Sequence, residues 1–221
     1  TLGAEGREGW SDHKKLIYDV NRSTGGIHIW RGVFPVKTGE PFKFRIAEWV
    51  ERKSPGGENS AGEFTNNFED GRLTDVDDNS DRNWVLNTLP GGYIYAEIST
   101  EDQGATWDLT MDEAEWALIG EGSPVGNWEA ANGQAMMFTG DLATDDTSVE
   151  GSGDFTTGQW KVIINNSFDY NLGGATDGST ALLFESDPFA LDAAGNYTIT
   201  LATADGGETY TATATSNAAR Q

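Results

Sequence analysis

Gly39-Glu40-Pro41-Phe42-Lys43-Phe44-Arg45-Ile46, followed by Trp49 and Gly56-Gly57, is written a second time about half the chain further on. The second copy reads Gly158-Gln159-Trp160-Lys161-Val162-Ile163-Ile164, followed by Phe168 and Gly173-Gly174. A further match trails each copy: Gly92-Tyr93-Ile94-Tyr95 runs to Trp107, and Gly195-Asn196-Tyr197-Thr198-Ile199 runs to Tyr210. Self-similarity at a period of roughly a hundred residues means two copies of one domain, not a solenoid of short repeats. In 221 residues this predicts domains at 1–112 and 113–221, the first carrying a long polar insert over 54–82. Such an insert without apolar periodicity is read as a functional or mobile loop.

Alternating β-branched and aromatic residues recur around the two copies. They predict six short strands per half, from Leu16-Ile17-Tyr18 and Ile27 to Trp30 through to Tyr197 to Leu201 and Thr209 to Ala214. Short strands with turn signals between them are the pattern of a β-sandwich. Residues 110–118 are the one helix-compatible stretch, and they are read as the linker between the halves.

Charge narrows the partners. Lys and Arg total 14 against 36 Asp and Glu, a net charge of −22. The first half holds 12 basic and 20 acidic residues, the second only 2 and 16. Phosphate backbones are repelled by both halves, which excludes nucleic acid as a partner and disfavours anionic membrane surfaces. No apolar run reaches transmembrane length, so direct membrane insertion is not expected. With no Cys, disulfides and thiol chemistry are out of reach.

Parity along Trp160-Lys161-Val162-Ile163-Ile164-Asn165 puts Trp160, Val162 and Ile164 on one face, and Lys161, Ile163 and Asn165 on the other. Lys161 is the sole basic residue of the second half apart from Arg220. It serves either a structural ion pair or a ligand. The first copy repeats the arrangement, with Lys43 and Arg45 facing away from Phe42 and Phe44. The sharpest local motif is Trp116-Ala117-Leu118-Ile119-Gly120 followed by Glu121-Gly122-Ser123-Pro124-Val125-Gly126-Asn127-Trp128. Here an indole leaves a Gly/Pro turn, either folded back or reserved for a ligand.

At these residues the sequence resembles the SusE/SusF type of starch-utilisation surface lipoproteins of Gram-negative bacteria. That family opens each carbohydrate-binding module with a strand and a Gly-Gly-Trp-like turn. The later strand, aromatic, Gly-Gly turn and Gly-x-Tyr hairpin follow in the same order. The resemblance covers almost all of 113–215 and, more loosely, 13–110. It implies an all-β fold of two tandem immunoglobulin-like or carbohydrate-binding-module-like β-sandwich domains. It also implies a non-catalytic, starch- or α-glucan-like polysaccharide-binding function at the extracellular face of a Gram-negative outer membrane, with outer-membrane glycan-uptake proteins as associates. Carried over, Trp128 with Phe168 or Tyr170 would stack on sugar, and Lys161 with Asn165 or Asn166 would bond hydroxyls. The matching first-module residues are Lys43, Arg45 and Trp49, with Trp30 beside them. The first module lacks the Pro-x-Gly-x-Trp turn, and Phe168 stands where the family commonly has Trp.

The rival reading is a structural subunit of an extracellular assembly, self-associating through exchange of terminal strands such as Thr209 to Thr215. Asp75, Asp77, Asn79 and Asp81 place oxygens at alternate positions, which fits either a calcium loop or a solvated acidic turn. Ser80 replaces the usual Gly of such a loop, and Leu86 stands where its Glu would be. His13 and His28 lack metal-ligand spacing. With no nucleophile elbow or phosphate loop in the sequence, an enzyme is not expected.

Overall fold

A computed structural model describes residues 2–4, 13–14, 16–35, 41–46, 51–53, 64–68, 76–78, 84–86, 92–101, 106–139, 147–174, 181–203 and 210–217. The described chain is all-β and divides into two compact units, Thr1–Glu113 and Ala114–Gln221.

The first unit contains β1 (Leu2–Ala4), β2 (His13–Lys14), β3 (Ile17–Tyr18), β4 (His28–Pro35), β5 (Pro41–Ile46), β6 (Glu51–Lys53), β7 (Phe64–Phe68), β8 (Val76–Asp78), β9 (Trp84–Leu86), β10 (Tyr93–Glu101) and β11 (Thr106–Glu113). One sheet runs β2-β1-β5-β9-β8 with β6 on β5; the other runs β3-β4-β10-β11-β7. Pairing is antiparallel except between β7 and β11. The described residues of the insert over 54–82 are strand. Its β7 and β8 extend one sheet each, and short polar-rich strands such as Phe64-Thr65-Asn66-Asn67-Phe68 escape a search for apolar alternation. Phe34, Tyr93, Ile94, Ala96 and Met111 form the buried centre around β4, β10 and β11.

The second unit contains β12 (Trp116–Ile119), β13 (Gln134–Ala135), β14 (Met137–Phe138), β15 (Thr147–Phe155), β16 (Gln159–Ile164), β17 (Ser167–Gly174), β18 (Ala181–Phe184), β19 (Phe189–Ala190), β20 (Gly195–Thr203) and β21 (Tyr210–Ser216). They form one sheet in the order β13-β12-β16-β17-β18-β21-β20-β15-β14, with β19 on β16. The two ends of that order are consecutive in sequence. Gln134–Ala135 pairs with β12, Met137–Phe138 pairs with β15, and buried Met136 between them donates its N–H to the Trp116 carbonyl at 2.8 Å. One short segment thus switches between the two ends of the sheet, folding it into a sandwich-like body. Trp116 meets Tyr210 inside, with ring centroids 5.2 Å apart.

The same switching appears in the first unit, where β2 pairs with β1 and β3 with β4. The pairings β1–β5, β4–β10 and β10–β11 recur as β12–β16, β15–β20 and β20–β21.

The expected helix-compatible linker over 110–118 is replaced by strand. β11 pairs with β10 as far as Glu113, and β12 begins at Trp116, leaving only Ala114 and Glu115 between them. Met111 is fully buried, and it continues the period-2 rhythm of Trp107 and Leu109 that identifies a strand.

Candidate functional site

The parity of β16 holds. Trp160, Val162 and Ile164 are buried, and Trp160 stacks on Phe189 with centroids 4.6 Å apart. The opposite face gains its own apolar cover. Ala117 and Ile119 of β12 and Ile163 of β16 are buried beneath Val125, Trp128 and Ala130. The segment between β12 and β13 lies back over this face because Gly120 and Asn127 pair as a bridge, with the Gly120 N–H bonded to the Asn127 carbonyl at 2.8 Å. Ser123 Oγ closes the turn on the Gly120 carbonyl at 2.8 Å. Gly120 sits at φ 124°, where a side chain would overlap the Gln159 carbonyl oxygen and come 3.0 Å from the tip of the Trp128 ring. Glycine here is what lets the indole seat against β12 and β16. Trp128 is thereby folded onto the sheet and stays partly exposed to solvent.

A bulge supplies the second ring. β16 and β17 pair as Ile163↔Asn171 and then as Ile164↔Ser167, so Phe168, Asp169 and Tyr170 are extra residues on one strand. Bulges re-aim side chains. Here Asn171 Nδ2 donates to the Phe168 carbonyl at 2.9 Å and the Asp169 N–H bonds Ser167 Oγ at 3.0 Å, holding the bulge shut. Phe168 stands 40% exposed, its ring 6.4 Å from that of Trp128 and inclined by 37°.

Lys161 lies beside them on the same sheet face, opposite Ile119, as Asn171 lies opposite Ile163. Lys161 Nζ donates to Asn171 Oδ1 at 2.8 Å. Partial burial pushes the Lys161 amine below its ordinary pKa, against the opposing pull of Asp187 and Glu185. The face therefore combines two inclined rings with an amine already held at one of its three N–H groups.

Two other predicted residues, Tyr170 and Asn165, make contacts away from the ring pair. Tyr170 is buried, 5% exposed, with its ring 5.0 Å from Phe184. It shares parity with inward-facing Leu172, so it belongs to the core and not to a stacking surface. Asn165 is tied to Glu115 by two bonds, its backbone N–H donating to the Glu115 carbonyl at 2.9 Å and its side-chain Oδ1 accepting the Glu115 N–H at 2.8 Å. Asn165 and Asn166 both take φ 53°, forming the two-residue turn between β16 and β17. Such turns need positive φ at both positions, which Asn tolerates. Asn166 is exposed at that turn. Asn171, absent from the sequence expectations, is the side chain that holds Lys161.

In the first unit, Lys43 and Arg45 lie at alternate positions of β5, whereas Trp30 lies on β4 in the other sheet, so the three do not share a sheet. Trp49, Asp75, Asn79 and Asp81 lie outside the described residues. Asp77 falls in β8, paired with Val85 of β9. Among the described residues no group of three or more His, Asp or Glu could hold a metal ion, and no helix is long and apolar enough to cross a membrane.

No protein-family model matches the chain. No curated protein matches it either.

Proposed function

We propose that this chain is a non-catalytic polysaccharide-binding protein of two tandem immunoglobulin-like, carbohydrate-binding-module-like β-sandwiches, of the SusE/SusF type, holding a starch- or α-glucan-like polymer outside a Gram-negative cell. The observation that carries the reading is the Trp128–Phe168 ring pair on the same sheet face as the Lys161–Asn171 pair. A sugar ring offers an apolar C–H face that packs on an aromatic plane and a rim of hydroxyls that need donors and acceptors. Trp128 and Phe168 supply the planes. Lys161 has further N–H groups to offer a hydroxyl, while Asn171 keeps the amine from swinging into water. Ordering the amine before binding reduces the entropy lost when ligand arrives. A net charge of −22 favours a neutral polymer over an anionic one.

The test is affinity electrophoresis of the whole chain in soluble starch. The wild type should be retarded, and Trp128→Ala should weaken binding about tenfold or more, the equivalent of about 1.4 kcal/mol. Trp128→Phe should lose less. Absence of retardation in starch and in other neutral polysaccharides would remove the reading.

A second reading, a subunit of an extracellular assembly, is favoured by the outer edge of β21. Among the described residues, β20 pairs β21 across six positions, but β18 reaches only Tyr210 and Thr211. Exchange of β21 between chains would have to break those six pairs, so addition of a foreign strand beside Ala212–Thr215 is the form this reading takes. Concentration-dependent polymerisation without glycan binding would decide for it.

A further inference from the structure

The hairpin of β3 and β4 in the first unit is braced at its turn. Asp19 is fully buried and ion-paired with buried Arg31, and its Oδ1 accepts the N–H groups of Asn21 and Arg22, each at 3.0 Å. Ser23 Oγ takes the Ile29 N–H at 3.0 Å. Arg22 grips Glu97 of β10 with two bonds of 2.7 and 3.1 Å. Whatever this hairpin presents is therefore presented rigidly.

It presents aromatic rings. Tyr18 lies directly opposite Trp30, and His28 is two residues along the same face of β4. Ring centroids stand 5.5 Å apart for Tyr18–Trp30, 5.9 Å for Tyr18–His28 and 6.0 Å for His28–Trp30. Tyr18 Oη and His28 Nδ1 are 2.9 Å apart, a hydrogen bond that links two ring edges. Tyr18 is 42% exposed, and His28 is exposed beside it. Ile17, Val20 and Ile27 of the same hairpin complete four of the six exposed large hydrophobic residues among those described. The corresponding hairpin of the second unit places Met137 opposite Glu150 and Phe138 opposite Val149.

The spacing decides the kind of ligand. Rings at 5.5–6.0 Å touch one another, so no cage remains between them for an ammonium group. A ligand must lie across the trio. The group suited to that has an apolar face for the rings and a hydroxyl rim for Tyr18 Oη and the imidazole. The chain's acidity opposes anionic alternatives.

We infer that Tyr18, His28 and Trp30 form a second platform for a neutral saccharide ring, separate from the Trp128 face and on the other unit. The inference rests on the polysaccharide reading above and makes the chain bivalent. Two weak sites spanned by one polymer bind together by effective concentration, without any new contact.

Affinity electrophoresis of the whole chain in soluble starch, repeated in Trp128→Ala, Tyr18→Ala, His28→Ala and the double variants, tests it. Tyr18→Ala and His28→Ala should each weaken polymer binding by about tenfold or more, a part of the avidity gain that two linked sites give. Trp128→Ala should keep a residual retardation that Tyr18→Ala removes. Tyr18→Phe, which keeps the ring and loses both the bond to His28 and the Oη offered to a sugar hydroxyl, should fall between Tyr18→Ala and the wild type. A wild type retarded equally with and without Tyr18→Ala, in both backgrounds, overturns the second platform and leaves the Trp128 site standing. A wild type retarded by no polymer overturns both. Dimerisation that Tyr18→Ala abolishes, with retardation unchanged, assigns the hairpin to a second copy of the chain and overturns the platform. Retardation relieved by a quaternary ammonium salt but not by maltose assigns it to cations and overturns it too.

Discussion

Lys161 Nζ donates to Asn171 Oδ1 at 2.8 Å across neighbouring strands, and the same Asn171 side chain donates to the Phe168 carbonyl at 2.9 Å. One amide thus fixes both the amine and the bulge that carries a ring. Asn171 itself is 8% exposed, so both of its bonds are sheltered from water. Sheltered bonds to a charged donor are stronger than exposed ones.

The lowered pKa of Lys161 has a consequence for stability. In the unfolded chain this lysine keeps its proton up to the ordinary lysine range, while in the folded chain it releases it at lower pH because of burial. Between the two values the unfolded state binds more protons, so the Lys161 contribution to stability rises with pH through that window. Urea unfolding of wild type and Lys161→Met from pH 7 upward should show the wild type gaining on the variant as the pH nears 10.5. A difference that shrinks over the same range would contradict the burial of the amine.

Gly120→Ala should disrupt the second unit far more than a surface Gly→Ala change. The residue is held at φ 124°, and an added Cβ would overlap the backbone at Gln159 and lie 2.7 Å from the Trp160 Cα, neither of which can rotate away. Strain and overlap of this kind cost about 3 kcal/mol or more. Thermal unfolding should show a midpoint lower by roughly 10 °C or more. Loss of indole seating should lower polysaccharide affinity in parallel.

How far the residues announced this architecture is clearest at β16 and β15. The faces of β16 followed from parity alone, since Trp160, Val162 and Ile164 are large, apolar and alternate. β15, nine residues long, carries no apolar alternation because its inward positions include Gly151 and Gly153. A Cβ at Gly151 would lie 2.8 Å from Leu118 Cδ1, and one at Gly153 would lie 2.5 Å from Pro124 Cγ. Core volume at those positions comes from the facing element, so the strand's own sequence shows no apolar alternation. Trp128, Phe168 and Lys161 stood out as residue types, and the structure sets them on one face. Asn171 did not, because three extra residues in the bulge shift the register that brings it opposite Ile163. The core place of Tyr170 and the turn place of Asn165 are hidden for the same reason: local spacing does not reveal which side of a bulge or turn a residue ends on.

Arg31→Met should destabilise the first unit by about 3–5 kcal/mol, the usual cost of stranding one member of a buried ion pair. Asp19 and Arg31 are 0% and 1% exposed at their side chains, so water cannot replace the lost partner. Asp19 also organises the turn through the Asn21 and Arg22 N–H groups, which ties the loss to the hairpin beneath Tyr18 and Trp30. Urea midpoints measure the first effect. The second should appear as faster amide exchange at Asn21 and Arg22, and an unchanged exchange rate there would detach the ion pair from the turn.

Asn165 separates a structural role from a sugar-binding one. At φ 53° an alanine adopts a conformation that costs about 1–2 kcal/mol, whereas glycine adopts it freely. Both substitutions remove the acceptor for the Glu115 N–H, worth about 1 kcal/mol. Asn165→Ala should therefore lose roughly 2–3 kcal/mol by these two effects together and Asn165→Gly about 1 kcal/mol. Because the amide oxygen faces Glu115 in the turn, polysaccharide retardation of Asn165→Gly should match that of the wild type, measured well below the unfolding temperature. A folded Asn165→Gly chain with tenfold weaker retardation would instead return this residue to the sugar, and with it the role that its position after Ile164 suggested.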